Sequence, residues 1–382
     1  MALKKITFLS VVFGFSALCF SFLNKKEATI NLSYSLNYKG DSWEKQKTGL
    51  LWTLSYLGAE LPRGSFDRNI VWLDSNTFTI NFDKLGFNQN AVNVLNNITD
   101  SLEQSEEYIT NNSIDLSMFV TLTIGSSWHY YAITGVPLNY QNYISQHPLS
   151  STSKFRLSHS TVSKHNRWIT FNNCDSVINS VFIAEEGLGD IIAGNFEPKF
   201  FEVMDVMSNG QLRFAIYNKE GNLTDASPKE LGASGKPAKC IWCHEIVFQP
   251  LFVKTDNLII GLSPDEFQTV IKQKNANLNS YRSRLNSDID FTKTQDHTAM
   301  ELLYISYMEP SLQKLSSEWN INANVLKRIL KQEITHQHNE FDYLIDLYDR
   351  KKIQTFAPYK KIDLPDDVRE PSKYEPNFIH FK

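Results

Sequence analysis

Residues 200–217 read FFEVMDVMSNGQLRFAIY, two strand-like runs joined by the dipeptide Asn209-Gly210. Asn-Gly is the strongest short hairpin signal, because both residues readily adopt the positive φ angles that a two-residue turn needs. The stretch therefore predicts a β-hairpin. The hairpin lies between two regions with different patterns of predicted secondary structure, and these regions together determine the expected fold.

Upstream of the hairpin, amphipathic helical segments alternate with strand-like runs. Helices are expected over Trp43–Leu57 and from Asn90, as N-cap, to Gln104, whereas Ile70–Phe82 is expected to be extended. A further apolar stretch, Ile114–Ile133, contains Gly125 and ends where Gly135-Val136-Pro137 would stop a helix. This alternation predicts an α+β domain over residues 28–224.

Downstream, a polar segment that contains glycine, residues 218–236, links the hairpin to a mainly helical region. Ser263-Pro264-Asp265-Glu266 has an N-cap serine, proline at the first helical position and glutamate at the third. Further helices are expected over Lys293–Met308, Ser311–Trp319 and Ala323–Thr335, with an irregular tail from Phe356. The pattern predicts a second, α-helical unit over residues 225–382.

The N-terminal 23 residues have the character of an export signal. Lys4 and Lys5 precede an apolar stretch from Ile6 to Leu23, which is the order of a charged and then a hydrophobic signal region. This stretch is compatible with three outcomes. The signal is cleaved after Cys19 or Ser21, it stays as an uncleaved anchor, or it is lipidated at Cys19. We expect an exported chain, either periplasmic or anchored and facing the periplasm, with no other contact with the membrane.

Composition and charge narrow the class of protein. The chain has 42% hydrophobic residues and a net charge of −4, which fits a folded globular protein and argues against a nucleic-acid surface, because such surfaces need a basic stripe. If the signal is removed, three cysteines remain, Cys174, Cys240 and Cys243. An odd number of thiols does not indicate a disulfide framework.

Residues 240–244 read CIWCH and carry the clearest chemical signal. Cys240 and Cys243, at positions i and i+3, lie on one face of a helical turn, where both sulfurs can reach the two vinyl groups along one porphyrin edge. His244 follows directly and can bind the iron as the proximal ligand. The pattern predicts one covalently attached haem c.

The motif and its surroundings resemble c-type cytochromes. The resemblance covers residues 240–244, the preceding Gly235–Lys239 and the helices that follow, and it does not extend to the first two hundred residues. It implies a cytochrome c-like haem domain that exchanges single electrons with a redox partner protein or a small-molecule donor or acceptor. In small cytochromes of this kind, a methionine in a later loop supplies the sixth iron ligand.

Three residues are candidates for that sixth ligand here. Met300 and Met308 follow His244 at a suitable interval, and His297 precedes Met300 by one helical turn. All three lie on a predicted helix, where a methionine is more often a packing residue than a ligand. The sixth position could also stay open or take a ligand from the N-terminal domain. Methionine raises the reduction potential, two histidines lower it and an open position permits catalysis.

The cysteine motif is also compatible with chemistry that needs no haem. Three alternatives would use the same two thiols: a redox dithiol, a small disulfide, or half of a zinc site. The zinc site would be completed by His336-Gln337-His338. At the level of function, an electron carrier is favoured over a haem-dependent oxidoreductase or peroxidase and over a haem-based binding or sensing module. Glu185, Glu186 and Asp205 are interpreted as solvated loop charges rather than as a catalytic site.

Overall fold

The computed structural model describes residues 27–147, 149, 151–158, 160–163, 165–250, 260–360 and 362–379. The predicted signal or anchor at residues 1–23 lies outside these described residues. In the described ranges the chain contains both helices and strands, which confirms the predicted mixture of the two.

The described α-helices are, in chain order, α1 Trp43–Tyr56, α2 Ser65–Asn69, α3 Gln89–Glu103, α4 Glu106–Asn111, α5 Leu116–Thr123, α6 Ser127–Thr134, α7 Tyr140–Gln146, α8 Pro237–His244, α9 Pro264–Arg282, α10 Thr298–Met308, α11 Leu312–Glu318, α12 Ala323–Ile329 and α13 Arg350–Ile353. Short 3₁₀ helices lie at Phe82–Lys84, Val177–Asn179, Thr294–His297 and Gln354–Phe356. The strands are β1 Thr29–Ser33, β2 Ile70–Trp72, β3 Thr77–Asn81, β4 Ile114–Asp115, β5 Thr152–Leu157, β6 Arg167–Asn172, β7 Val181–Leu188, β8 Glu197–Val206 and β9 Leu212–Asn218.

Most expected elements form, with shifted ends. The α3 helix is capped by Asn88, whose side chain accepts from the Ala91 amide, and not by Asn90. The apolar stretch Ile114–Ile133 is not one element, because Ser126 caps a new helix through the His129 amide. It therefore divides into β4, α5 and α6. The α9 helix begins with the expected capping box at Ser263 and Glu266.

The five-stranded sheet is a meander in the order β5-β6-β7-β8-β9, with every neighbouring pair antiparallel. The predicted hairpin is confirmed as β8 and β9, and Gly210 in its turn has a φ of +81°. The side-chain amide of Asn209 donates to the backbone carbonyls of Ser55 and Ala59 at 2.7 and 2.9 Å. The turn thus also fastens the sheet to the end of α1.

The second sheet is smaller, in the order β2-β3-β1-β4, with β1 and β4 parallel. A single hydrophobic cluster includes residues from Ala28 to Val368, so side chains on both sides of residue 225 pack together. Helix α10 approaches α1 closely at Gly49, where a Cβ atom would lie 2.4 Å from the Ala299 carbonyl oxygen. The C-terminal helices add a smaller cluster around Leu315 and Trp319.

A buried ion pair joins α11 to the small sheet. The Lys314 Nζ atom donates to both oxygens of Asp115 at 2.9 and 2.8 Å and to the Ser35 hydroxyl at 3.0 Å. Burial alone would raise the pKa of Asp115, but the charge of Lys314 and hydrogen bonds from Lys314 and Ser117 bring it below its usual value. The carboxylate is therefore charged in the folded protein and depends on Lys314.

We expect Lys314→Met to lower the free energy of unfolding by about 3–5 kcal/mol at neutral pH, because it leaves a charged carboxylate buried without its cation. Since the folded-state pKa of Asp115 is lowered, the stabilisation by the pair is complete above the unfolded pKa and is lost as the pH falls through the folded pKa. The difference between the two proteins should therefore shrink in acid. Urea unfolding at several pH values measures both effects.

The control is Lys352→Met, which removes the same charge from a side chain that is 68% exposed. It should change stability by no more than about 0.5 kcal/mol. Equal losses in the two variants would contradict the role assigned to the buried pair.

Candidate functional site

Helix α8 carries the cysteine motif and has well-defined ends. Pro237 occupies its first turn, a position where the missing amide hydrogen carries no cost. Gly235 precedes it with a φ of +67°, and a Cβ atom there would lie 2.3 Å from the Arg369 carbonyl oxygen. At the other end Glu245 has a φ of +50°, and its carbonyl accepts from the Tyr56 hydroxyl at 2.5 Å. The helix is thus held at both ends by distant parts of the chain.

Lys236, immediately before the helix, is fully buried. Its Nζ atom forms an ion pair with Glu375 and donates to the carbonyls of Asp367 at 2.6 Å and Gly125 at 3.4 Å. Glu375 in turn accepts from the Ser127 amide at 2.6 Å. The irregular C-terminal tail is therefore bonded to the start of α8 and to the start of α6.

The tail also covers one side of α8. Lys239 pairs with Glu370, and the Arg369 guanidinium lies 4.5 Å from the centre of the Trp242 indole ring. Arg369 further contacts Glu340 at 2.9 Å and Glu301 at 3.4 Å. Trp242 consequently packs against the tail and not into the space on the other side of the helix.

The opposite side of α8 faces a cavity of about 130 Å³ that is partly open to solvent. Cys240, Cys243 and His244 all line it, so the structure brings the three predicted site residues together. The other walls are one face of the five-stranded sheet, helix α9 and the segment after α8. Their apolar lining residues include Phe155, Ile169, Phe182, Phe214, Phe248, Phe267 and Ile271.

The register of the sheet explains which of its residues reach the cavity. Ile169, Ala184 and Glu202 are paired across β6, β7 and β8, so they lie side by side on one face. Phe182, Met204 and Phe214 form the next row. Because alternate residues of a strand share a face, these rows follow each other at a spacing of about 7 Å.

His244 is half-buried, and its ring centre lies 5.5 Å from that of Phe214. Its Nδ1 atom is buried and forms no hydrogen bond to any described residue. Burial lowers the pKa of His244 to about 4, against a smaller raising effect of the Val247 backbone. The imidazole is therefore neutral at physiological pH, which is the form that binds a metal.

Both thiols of the motif are free. Burial is the largest cause that raises the pKa of each thiol, and the Glu202 carboxylate adds to it for Cys240. Redox-active dithiols instead have a lowered thiol pKa. The raised pKa of both thiols therefore does not favour the dithiol alternative. The histidines considered for a zinc site lie beside another residue: His336 and His338 are 2.8 and 3.9 Å from Glu309, and neither lines the motif cavity. Over the described ranges, no group of three or more His, Cys, Asp or Glu side chains is arranged to hold a metal ion.

The polar end of the cavity was missed by sequence reasoning. Arg167 and Glu202 line it, and Arg167 forms an ion pair with Glu186. The Oε1 atom of Glu202 is buried without a hydrogen bond from any described residue. Glu186 and Asp205 are both buried, so their interpretation as solvated loop charges was wrong. Asp205 pairs with Arg213 on the other face of the sheet.

The predicted sixth-ligand candidates lie elsewhere. The Nδ1 atom of His297 is 3.0 Å from the Tyr56 hydroxyl, and its Nε2 atom is 3.0 Å from Glu301. Met300 is buried in the core, and Met308 lines a separate cleft with Glu309 and His336. None of the three is among the described residues that line the motif cavity. Glu202 and Met204 do line the cavity. The period-two pattern of β8, which puts both on one face, was the sequence signal that could have identified them.

Comparison of the chain with protein-family models, with curated proteins and with solved structures gives no match. Within the part of the chain that the structure describes, no helix has both the length and the apolar character needed to cross a membrane.

We expect Glu375→Gln to lower the free energy of unfolding by about 3 kcal/mol, because the fully buried Lys236 then loses the carboxylate with which it is paired. Glu370→Gln is the matched control, since it removes the same charge from the tail. Its partner Lys239 is more exposed than Lys236, and Glu370 itself is 37% exposed, so a loss of about 0–1 kcal/mol is expected. Urea unfolding measures both, and similar losses would argue against the pair as the anchor of α8.

Proposed function

We propose that this protein is an exported mono-haem c-type cytochrome that transfers single electrons to or from a partner. The observation that supports it is the placement of Cys240, Cys243 and His244 on the one side of α8 that faces a largely apolar cavity. Two thiols and a neutral imidazole beside an apolar, partly open cavity are the groups that covalent haem attachment needs.

The residues present fit this cofactor. Cys240 and Cys243 would hold it through thioether bonds and His244 would bind its iron. His244 lines the cavity as a neutral imidazole, the form that binds iron. When bound, haem c supplies a one-electron couple between its ferric and ferrous forms. Aromatic lining residues such as Phe155, Phe182 and Phe267 would pack on the porphyrin and exclude water.

The partner and the location are part of the same proposal. Because the cavity is partly open to solvent, an edge of the cofactor would be accessible to a redox protein or a small-molecule donor or acceptor. Covalent haem attachment requires export, and the predicted signal at residues 1–23 is consistent with a periplasmic or membrane-anchored protein.

One observation favours a second candidate, a haem-dependent oxidoreductase or peroxidase. Arg167 and Glu202 border the cavity, and the Oε1 atom of Glu202 accepts no hydrogen bond from a described residue, so it is free to accept one from a bound substrate. Cyanide and carbon monoxide distinguish the two candidates. A protein that refuses both ligands is an electron carrier, whereas rapid binding indicates an open iron position and catalysis.

We expect the full chain, produced together with haem-attachment machinery, to carry one haem that survives denaturation. The double variant Cys240→Ala, Cys243→Ala should lose all covalent haem, because both thioether bonds are gone. The intact mass and haem staining after denaturing electrophoresis measure attachment.

Cys174→Ala is the matched control. Cys174 is the other free thiol of the described chain, and it contacts Asn172 and Lys274 and does not line the motif cavity. This variant should retain haem in full. Two results would contradict the proposal. One is a colourless wild type in cells that mature a known cytochrome c, and the other is loss of haem from Cys174→Ala alone.

A further inference from the structure

We infer that Met204 would supply the second protein ligand of the iron when haem is bound. The inference rests on the proposed haem attachment and names a residue that the sequence pattern did not suggest. Met204 lies on β8, before the cysteine motif, whereas the ligands expected by resemblance follow the motif.

Met204 lines the same cavity as His244. It is paired with Phe182 on β7 and with Phe214 on β9, so it lies in the middle of a row of three cavity-lining side chains. The ring centre of Phe214 is 5.5 Å from that of His244. Since neighbouring side chains on adjacent strands are about 4.5–5.5 Å apart, Met204 is one side chain removed from the proximal histidine.

The burial of Met204 is consistent with a ligand role. It is only partly buried, although it packs against the main hydrophobic cluster in an inner strand. The accessible part therefore borders the cavity. A methionine has three rotatable side-chain bonds, which lets its sulfur adjust to the position of an iron atom.

The remaining donors that line the cavity are less suitable. Glu202 shares the strand face but lies two residues away, about 7 Å along β8. Ser160, Ser234 and Gln249 offer only neutral oxygen or amide groups. Met204 is the one thioether among the described lining residues.

A purely structural role would have Met204 merely fill space between Phe182 and Phe214. The ligand role and the structural role differ in the spectra of the loaded protein. A thioether ligand produces low-spin iron, a raised reduction potential and slow binding of exogenous ligands, whereas a packing residue affects none of these directly.

The test compares the wild type with Met204→Leu and Met300→Leu, each as the full chain with covalent haem. We expect the ferric wild type to show the near-infrared charge-transfer band of methionine ligation. Met204→Leu should lose this band, become high-spin and bind carbon monoxide in the ferrous state about tenfold or more tightly, because no internal ligand then competes. Met300→Leu, an equal change in the buried core outside the cavity, should keep the wild-type spectrum.

Met204→His adds a readout that packing alone does not explain. It should restore a low-spin spectrum without the methionine band and lower the reduction potential relative to the wild type, as two histidine ligands do. Haem staining of every variant shows whether attachment and folding survive.

The outcomes are distinguishable. A wild type with covalent haem but a high-spin spectrum, or a Met204→Leu variant that keeps the methionine band, overturns the ligand assignment and leaves the proposed cytochrome intact. A wild type without covalent haem overturns the proposed function itself. Loss of the band from Met300→Leu alone would overturn the assignment to Met204 and give the ligand role to the helix α10 candidate.

Discussion

The site depends on the buried ion pair between Lys236 and Glu375. A buried ammonium group is unfavourable unless it is paired and hydrogen-bonded, and Lys236 meets this condition only when the tail lies against the start of α8. The same contact determines which side of the helix is covered. Trp242 then faces Arg369, and the motif side is left facing the sheet.

The position of the cavity depends on the contacts that join α9 to the five-stranded sheet and to the segment after α8. Arg282 on α9 donates to the carbonyls of Gly210 in the hairpin turn and Ile246 after α8. These bonds fix the segment that follows the motif relative to the edge of the sheet. Phe155 and Phe267 stack at 4.3 Å between ring centres and fix α9 against β5. The cavity lies between the sheet and α9, whose relative positions these contacts fix.

Local signals explain what could be predicted. Asn209-Gly210 and the Ser263 capping box act within a few residues, and Cys240, Cys243 and His244 share a face by helix geometry alone. The contacts that complete the site join distant residues: Lys236 and Glu375 are 139 positions apart. The strand pattern places Glu202 and Met204 on one face but does not say which element covers that face. The prediction for Glu186 was wrong for the same reason, since its partner Arg167 lies on a neighbouring strand.

The same sheet would also tune the proposed cofactor. An apolar surrounding disfavours the extra positive charge of ferric haem, so residues such as Ile169, Phe182 and Phe214 would raise the reduction potential. The Glu202 carboxylate, which also lines the cavity, would stabilise that charge and act in the opposite direction. Arg167 opposes Glu202 but is itself paired with Glu186, so its influence is reduced. Strands that precede the motif, and not only the helices after it, would therefore decide the potential at which electrons are exchanged.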